Sequence, residues 1–291
     1  MEIIIATRRS KLAQIQTNRV SELLKNYGIN SSSLLIETEG DRRLDVSLDK
    51  IGGKGLFTKE VEFALFDKSA DIAVHSLKDL PYQIPDEFEI IAIPEREDER
   101  DVFISREGVH FDELKSGARI GTSSVRRAGL LKMLRSDLII EPIRGNVNTR
   151  LLKMEQMKLD GIILAAAGIK RLNLDNIITD YFDPEVFIPA IGQGALAVEC
   201  LKSNPSKEII KLIDNKDERI RAEAERSFMK MLNGDCHSLI GAYSKINGET
   251  LTIIGTSNVN GKVVKDRIEG NKNESILLGQ NLGKMLLDKW S

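Results

Sequence analysis

Cysteine is scarce in this chain of 291 residues: only Cys200 and Cys236 occur, without a CxxC spacing, so no disulfide framework is expected. Aromatic residues make up 5% of the sequence and the formal net charge is −2. There is thus neither a stacking motif nor a general basic field for nucleic acid. No apolar run reaches the length of a membrane span. The opening Met1-Glu2-Ile3-Ile4-Ile5 runs straight into a strand pattern instead of a basic stretch followed by a long apolar one. Cys236-His237 supplies too few spaced ligands for a metal. These absences leave a soluble protein of a reducing cytoplasm, with no membrane, no nucleic acid and no metal.

What is present is ordinary for a globular protein, with 41% hydrophobic and 30% charged residues, over a length that calls for two or three domains. The chain repeatedly reads strand, short polar turn, helix, the rhythm of α/β units with largely buried parallel strands. Ile3 to Ala6 is the first strand, and Ser10 is placed to cap a helix from Leu12 to Leu24. Arg119-Ile120-Gly121-Thr122-Ser123-Ser124 repeats the arrangement ahead of a helix through Leu134. The segments Asp71 to Lys78 and Asp160 to Ala167 also echo one another, each an acid, an apolar strand and a turn, so two similarly built α/β domains are expected. The charged run Glu95-Arg96-Glu97-Asp98-Glu99-Arg100-Asp101 separates them and reads as a solvated crossover. Pro189 to Ala195 breaks the pattern before Leu196-Ala197-Val198 returns to the first domain. Beyond residue 205 come a long polar helix, strands with Asn247-Gly248 and Asn260-Gly261 turns, and a last helix, the pattern of a small α+β domain with an antiparallel sheet. The expected domains are 1–95 with 190–210, 96–189, and 211–291.

Chemistry concentrates in arginines. Arg8, Arg9, Arg126, Arg127, Arg144, Arg150 and Arg171 are expected at or just after strand ends, which in open α/β sheets line the ligand crevice. Guanidinium forks pair with carboxylates, and the helix starts after Ser10 and after Thr122-Ser123-Ser124 add N–H donors. A surface ion pair explains any one arginine as readily; their number in matching positions points to a polyanion site. In Arg144-Gly145-Asn146-Val147-Asn148-Thr149-Arg150 a glycine turn brings two cations together. His75-Ser76-Leu77-Lys78-Asp79-Leu80-Pro81 places a hydroxyl, a cation and a carboxylate at a strand end, where Asp79 is suited to stabilising a cation or moving a proton, although a helix cap or a surface Lys-Asp pair fits the pattern too. Gly52-Gly53-Lys54-Gly55-Leu56-Phe57 lacks the spacing of a phosphate loop; it reads as a glycine-rich lid with Lys50, Lys54 and Phe57, or as an ordinary flexible loop. Cys200 reads as a buried strand residue. Cys236 follows a helix and a glycine, and the residues alone leave it inert or reactive. A two-domain anion-binding protein without chemistry fits these residues as well.

Taken in order, Ile5-Ala6-Thr7-Arg8, the glycine-rich segment 52–57, Asp71 through Pro81, Gly121-Thr122-Ser123-Ser124-Val125-Arg126-Arg127, Arg144-Gly145-Asn146 and Pro189-Ala190-Ile191-Gly192-Gln193-Gly194 resemble the porphobilinogen deaminase family over nearly the whole chain. The resemblance implies two periplasmic-binding-protein-like α/β domains enclosing a cleft, plus the small α+β domain. It implies a dipyrromethane cofactor held by a thioether on Cys236, and a transferase that joins four porphobilinogen molecules, with loss of ammonia, into hydroxymethylbilane, as a monomer. Asp79 resembles the catalytic aspartate. Lys78, Ser76, Thr122, Ser123, Ser124, Arg126, Arg127, Arg144 and Gly145 match cofactor-binding positions. Arg8, Ser10, Gln16, Arg144, Arg150 and Arg171 match substrate-binding ones. The sequence departs from the family pattern at Asp235 and Leu239 beside the cysteine, at Asn148 where glycine is common, and at Lys11 where proline is common.

Overall fold

The computed structural model describes residues 2–38, 58–234 and 238–290. It divides into two compact units, Met1–Glu97 with Ala195–Ala222, and Asp98–Gly194 with Glu223–Ser291.

The first unit is built on a five-stranded sheet of β1 (Glu2–Arg8), β2 (Asn30–Ile36), β3 (Ile72–Ser76), β4 (Phe88–Ala92) and β10 (Leu196–Leu201), in the order β2-β1-β3-β10-β4. Its central strands are continuous apolar runs because both faces are covered. Ile3, Ile5, Ile72, Val74 and Val198 pack with Val20 and Leu24 of α1 (Lys11–Lys25). On the opposite face Ala6 and Ala73 pack with Val61, Ala64 and Leu65 of α2 (Lys59–Phe66). Ser10 caps α1, its hydroxyl accepting from the Ala13 N–H at 3.3 Å.

The second unit holds a sheet of β5 (Asp101–Ser105), β6 (Arg119–Gly121), β7 (Ile139–Glu141), β8 (Gly161–Ala165) and β9 (Asp180–Tyr181), in the order β7-β6-β8-β5-β9. Helices α3 (Val125–Leu134), α4 (Val147–Gln156) and α5 (Ala166–Arg171) accompany it. Phe103, Ile120 and Ile163 pack with Leu130 and Leu131 of α3, while Val102, Ile162 and Leu164 pack with Met154 and Ile169.

The two sheets have one plan, with β6, β7, β8, β5 and β9 taking the places of β1, β2, β3, β10 and β4. The acidic residue that opens each echoed segment has a structural cause. Asp71 Oδ2 accepts from the Ile4 N–H at 2.8 Å while the Asp71 N–H donates to the Ile4 carbonyl at 2.8 Å. Asp160 repeats this on Arg119 at 2.7 and 2.9 Å. The aspartates thereby fasten the start of β3 to β1 and the start of β8 to β6. The sheets are mixed, not wholly parallel, since β10 runs antiparallel to β3 and β4, and β5 antiparallel to β8 and β9.

The charged run 95–101 departs from the solvated crossover expected of it. Asp101 is fully buried, and Arg96 contacts Glu218 at 3.0 Å with almost no exposure. Asp98 meets Arg100 at 2.7 Å and Lys170 at 2.8 Å. Burial alone would raise the Asp98 pKa, but these two cations hold it well below the usual carboxylate range. The alternation of signs that suggests solvent from sequence here supplies the partners that permit burial.

Helix α6 (Lys207–Ile210) leads into α7 (Lys216–Met231), within which the division between units falls. An antiparallel sheet of β11 (Ile240–Asn247), β12 (Thr250–Val259) and β13 (Lys262–Asn271) follows, then α8 (Ser275–Trp290). The second hairpin turns on Asn260-Gly261 with φ of +53° and +80°, as its sequence suggests. The first turns one residue later than the Asn-Gly pair implies, on Gly248-Glu249, with Gly248 at φ +61°.

Candidate active site

In the first unit β1 and β3 are parallel neighbours, so their carboxyl-terminal ends, with Arg8 and Ser76, open on one sheet edge. Gln16, buried on α1, donates from Nε2 to Ser76 Oγ at 2.8 Å and ties the helix to that edge. Beyond Ser76 the chain enters a 3-10 turn, Leu77–Asp79, closed by the Leu80 N–H on the Leu77 carbonyl at 3.2 Å. Leu77 and Leu80 are buried with Ile93, Ala195, Ala197 and Ala222, and the Leu77 N–H donates to the Ala195 carbonyl at 3.0 Å. Two apolar plugs at i and i+3 therefore face inward, leaving Lys78 partly exposed and Asp79 exposed between them. Beneath the edge, His75 Nε2 lies 3.0 Å from Glu199 Oε2, both buried, and Glu199 Oε1 has no hydrogen-bond partner among the described residues. Burial, followed by the Glu199 charge, raises the pKa of nearby Glu62.

In the second unit Thr122, Ser123 and Ser124 follow β6. Thr122 is buried, Ser123 Oγ donates to the Ile143 carbonyl at 2.9 Å, and Ser124 caps α3 by accepting from the Arg127 N–H at 3.4 Å. Arg126 and Arg127, on the first turn of α3, are buried rather than splayed at a strand end. Arg126 Nη1 donates to Asp101 Oδ2 and to the Ile188 carbonyl, both at 2.7 Å. Arg127 places Nε and Nη2 on Asp101 Oδ1 at 3.0 and 2.7 Å, and Nη1 on the Ile163 carbonyl at 3.1 Å. Burial pushes the Asp101 carboxyl up, but the Arg126 and Arg127 charges outweigh it and hold the pKa down to about 2. Burial also lowers the pKa of Arg126, which stays cationic as arginines do.

Arg144 precedes Gly145, whose φ of +123° and the 2.5 Å that would separate an added Cβ from Thr149 Cγ2 require glycine. Asn146 caps α4, accepting from the Thr149 N–H at 2.9 Å. Arg150 and Arg171 lie on helices, not at strand ends. Arg150 Nε donates to the Gly145 carbonyl at 2.8 Å, and Arg171, closing α5, donates to the Gly194 carbonyl at 2.7 Å. Lys50, Lys54, Phe57 and Cys236 lie outside the described residues. Cys200 is buried in β10, with its thiol pushed up to about 12 by burial, and is chemically inert.

Sequence reasoning missed Asp101, concealed in its charge run, and Gln193, which donates to Asp101 Oδ1 at 3.0 Å and to the Glu99 carbonyl at 2.7 Å. Their only signal is the ratio of arginines to nearby acids, which becomes legible once β5 is known to lie beside β8.

Residues 3–208 match the family model for the porphobilinogen deaminase dipyromethane cofactor binding domain, and residues 219–288 match that for the porphobilinogen deaminase C-terminal domain. The chain belongs to the porphobilinogen deaminase family. A porphobilinogen deaminase of Clostridium perfringens (strain 13 / Type A) is 59% identical over 290 residues, covering 99% of this chain and all of that relative. One of Clostridium beijerinckii is 58% identical over 288 residues, covering 99% of each chain. Among solved structures, the methionine-binding protein MetQ has a TM-score of 0.47 at 10% identity, over 77% of this chain and 94% of its own; the repeated sheet plan, not that value, establishes the α/β class. As a family member the chain is a transferase of porphyrin biosynthesis that uses a dipyrromethane cofactor. The described residues fit such a carboxylate-bearing group: two buried guanidiniums face the single carboxylate of Asp101, and Arg126 Nε is buried with no partner. Among the described residues no helix is long and apolar enough to cross a membrane.

Proposed function

We propose that this chain polymerises porphobilinogen with Asp79 as its catalytic carboxylate, and that the anchored turn of residues 77–80, which leaves Asp79 exposed between two buried leucines, is the observation that carries the assignment. Porphobilinogen brings two carboxylates, a pyrrole N–H and an aminomethyl group that leaves as ammonia. When bound, the dipyrromethane supplies the pyrrole end from which the chain is extended. Asp79 accepts the pyrrole N–H, stabilises the cation that develops as the carbon–nitrogen bond to ammonia breaks, and carries the proton released when the new carbon–carbon bond forms. Lys78, one residue away, adds positive charge for carboxylates.

Arg8, Ser10, Gln16, Arg144, Arg150 and Arg171 take substrate carboxylates in this reading. Ser76, Lys78, Thr122, Ser123, Ser124, Arg126, Arg127, Arg144 and Gly145 hold the cofactor, and Cys236 carries its thioether. The substrate's side-chain carboxylates are met by guanidinium forks and by the N–H groups at the starts of α1 and α3. The protein acts as a monomer in the cytoplasm, with its chain organised as 1–95 with 190–210, 96–189 and 211–291.

The test is hydroxymethylbilane production from porphobilinogen by Asp79→Ala and Asp79→Glu variants whose Cys236 peptide is checked by mass. Asp79→Ala should keep the adduct and lose at least about 100-fold in kcat, with partial recovery in Asp79→Glu. An Asp79→Ala enzyme of near wild-type kcat would overturn the role.

A further inference from the structure

The arginine pair in the second unit is not placed by its own helix alone. Arg126 and Arg127 are consecutive on α3, so their side chains leave the helix about 100° apart, yet both guanidiniums converge on one carboxylate. Asp101 achieves this from the first position of β5. Its Oδ1 receives Nε and Nη2 of Arg127 and its Oδ2 receives Nη1 of Arg126. Gln193 fixes the carboxylate in turn, bridging Asp101 Oδ1 and the Glu99 carbonyl.

The arithmetic of charge is as informative as the geometry. Two guanidiniums against one carboxylate leave a net positive charge in a place from which water is excluded, which is costly unless an anion completes it. The hydrogen-bond count agrees. Arg127 spends its Nε edge on Asp101, whereas Arg126 spends Nη1 on Asp101 and the Ile188 carbonyl and keeps a buried Nε with no partner among the described residues. The missing partner thus has the same chemistry as Asp101, a carboxylate.

We infer that Asp101 is a positioning residue for ligand carboxylates: it locks Arg127 and one nitrogen of Arg126 so that the remaining Nε edge of Arg126 is held for a single incoming carboxylate of the pyrrole chain. Gln193 is its support. The inference rests on the reading of Arg126 and Arg127 as carboxylate-binding residues, and it adds a cause for their orientation that neither residue supplies itself.

The test compares Asp101→Asn, Gln193→Leu and Arg126→Gln with the wild type, reading circular dichroism, the fraction of intact chain carrying an adduct on Cys236, and KM and kcat for porphobilinogen. Folded Asp101→Asn should carry the adduct on at least fivefold less of the chain; the wild-type fraction with unchanged KM would overturn the inference. Gln193→Leu leaves both ion pairs in place and decides the matter if Asp101→Asn does not fold. It should raise KM at least threefold with kcat within twofold, a split that a purely structural role would not produce, and an unchanged KM would count against Asp101. Arg126→Gln separates the two readings. If it keeps both adduct and KM, the arginine site itself fails; if it loses them while the other variants do not, only the role of Asp101 fails.

Discussion

Truncating Leu80 to alanine tests whether the turn that presents Asp79 is held by its apolar plugs. Leu77 and Leu80 are 1% and 2% exposed, in a cluster closed by Ile93 and three alanines. Small neighbours leave little to collapse into the gap, so Leu80→Ala should cost about 3 kcal/mol, within the range found for buried leucines. For a unit of this size that is a fall of roughly 10 °C in melting temperature. The kinetic effect should be larger than a stability loss alone explains. A reacting carboxylate displaced by about 1 Å costs up to ~100-fold in turnover, so kcat should fall about tenfold to 100-fold at temperatures where the variant is fully folded. KM should move little, because the arginines that take the substrate carboxylates lie on other elements. Leu80→Met conserves volume and should cost less than about 1.5 kcal/mol, with kcat close to wild type. Thermal unfolding followed by circular dichroism, with steady-state kinetics on the same preparations, reads both effects. Leu80→Ala with wild-type kcat, or with a loss below about 1 kcal/mol, would show that the buried leucines do not hold Asp79 in place.

Gly145→Ala should strain the turn between Arg144 and Arg150, since φ is +123° and the new Cβ would meet Thr149. A cost of about 1–3 kcal/mol and a rise in KM for porphobilinogen are expected, and an unchanged KM would contradict the placement of those arginines. Asp101 lies at about 2 in the folded chain against 3.8 as its ordinary value. A depressed carboxylate stabilises fully above 3.8 and loses that contribution as pH falls from there toward 2, an effect of roughly 2 kcal/mol. Acid unfolding followed by fluorescence should steepen across that window, and Asp101→Asn should flatten it; identical acid profiles would exclude the effect. Cys200, with its thiol raised to about 12 by burial, should stay unlabelled by a thiol reagent at pH 8 in the folded protein and react in urea. Rapid labelling of the Cys200 peptide in native protein would show that β10 is less closed than described.

Much of the architecture is written in local pattern. The first strand and its helix, the capping serines Ser10 and Ser124, and the echo between the segments opened by Asp71 and Asp160 all follow from apolar runs and turn residues acting over a few positions. What the echo cannot reveal is why each segment opens with an acid, because the Ile4 and Arg119 amides it binds lie far away in sequence. The run 95–101 shows the same limit from the other side. Alternating charge is a solvent signal only when the partners are water and near neighbours. Here Arg96 reaches Glu218, Asp98 reaches Lys170 and Asp101 reaches Arg126 and Arg127, pairings set by which strands sit side by side. A local ambiguity moves Arg150 and Arg171 from expected strand ends onto helices, since one polar turn can end a strand and begin a helix within the same few residues. At Asp79 the motif suffices to name the carboxylate, and the buried pair Leu77 and Leu80 explains its exposure.

This chain is proposed to build its product on a pyrrole group anchored through Cys236, and intact mass of the purified protein with peptide mapping reads that anchor without an activity assay. A dipyrromethane-sized addition is expected on the peptide containing Cys236, absent from Cys236→Ser and absent from the Cys200 peptide. An unmodified Cys236 that also fails to gain the addition on incubation with porphobilinogen would contradict it.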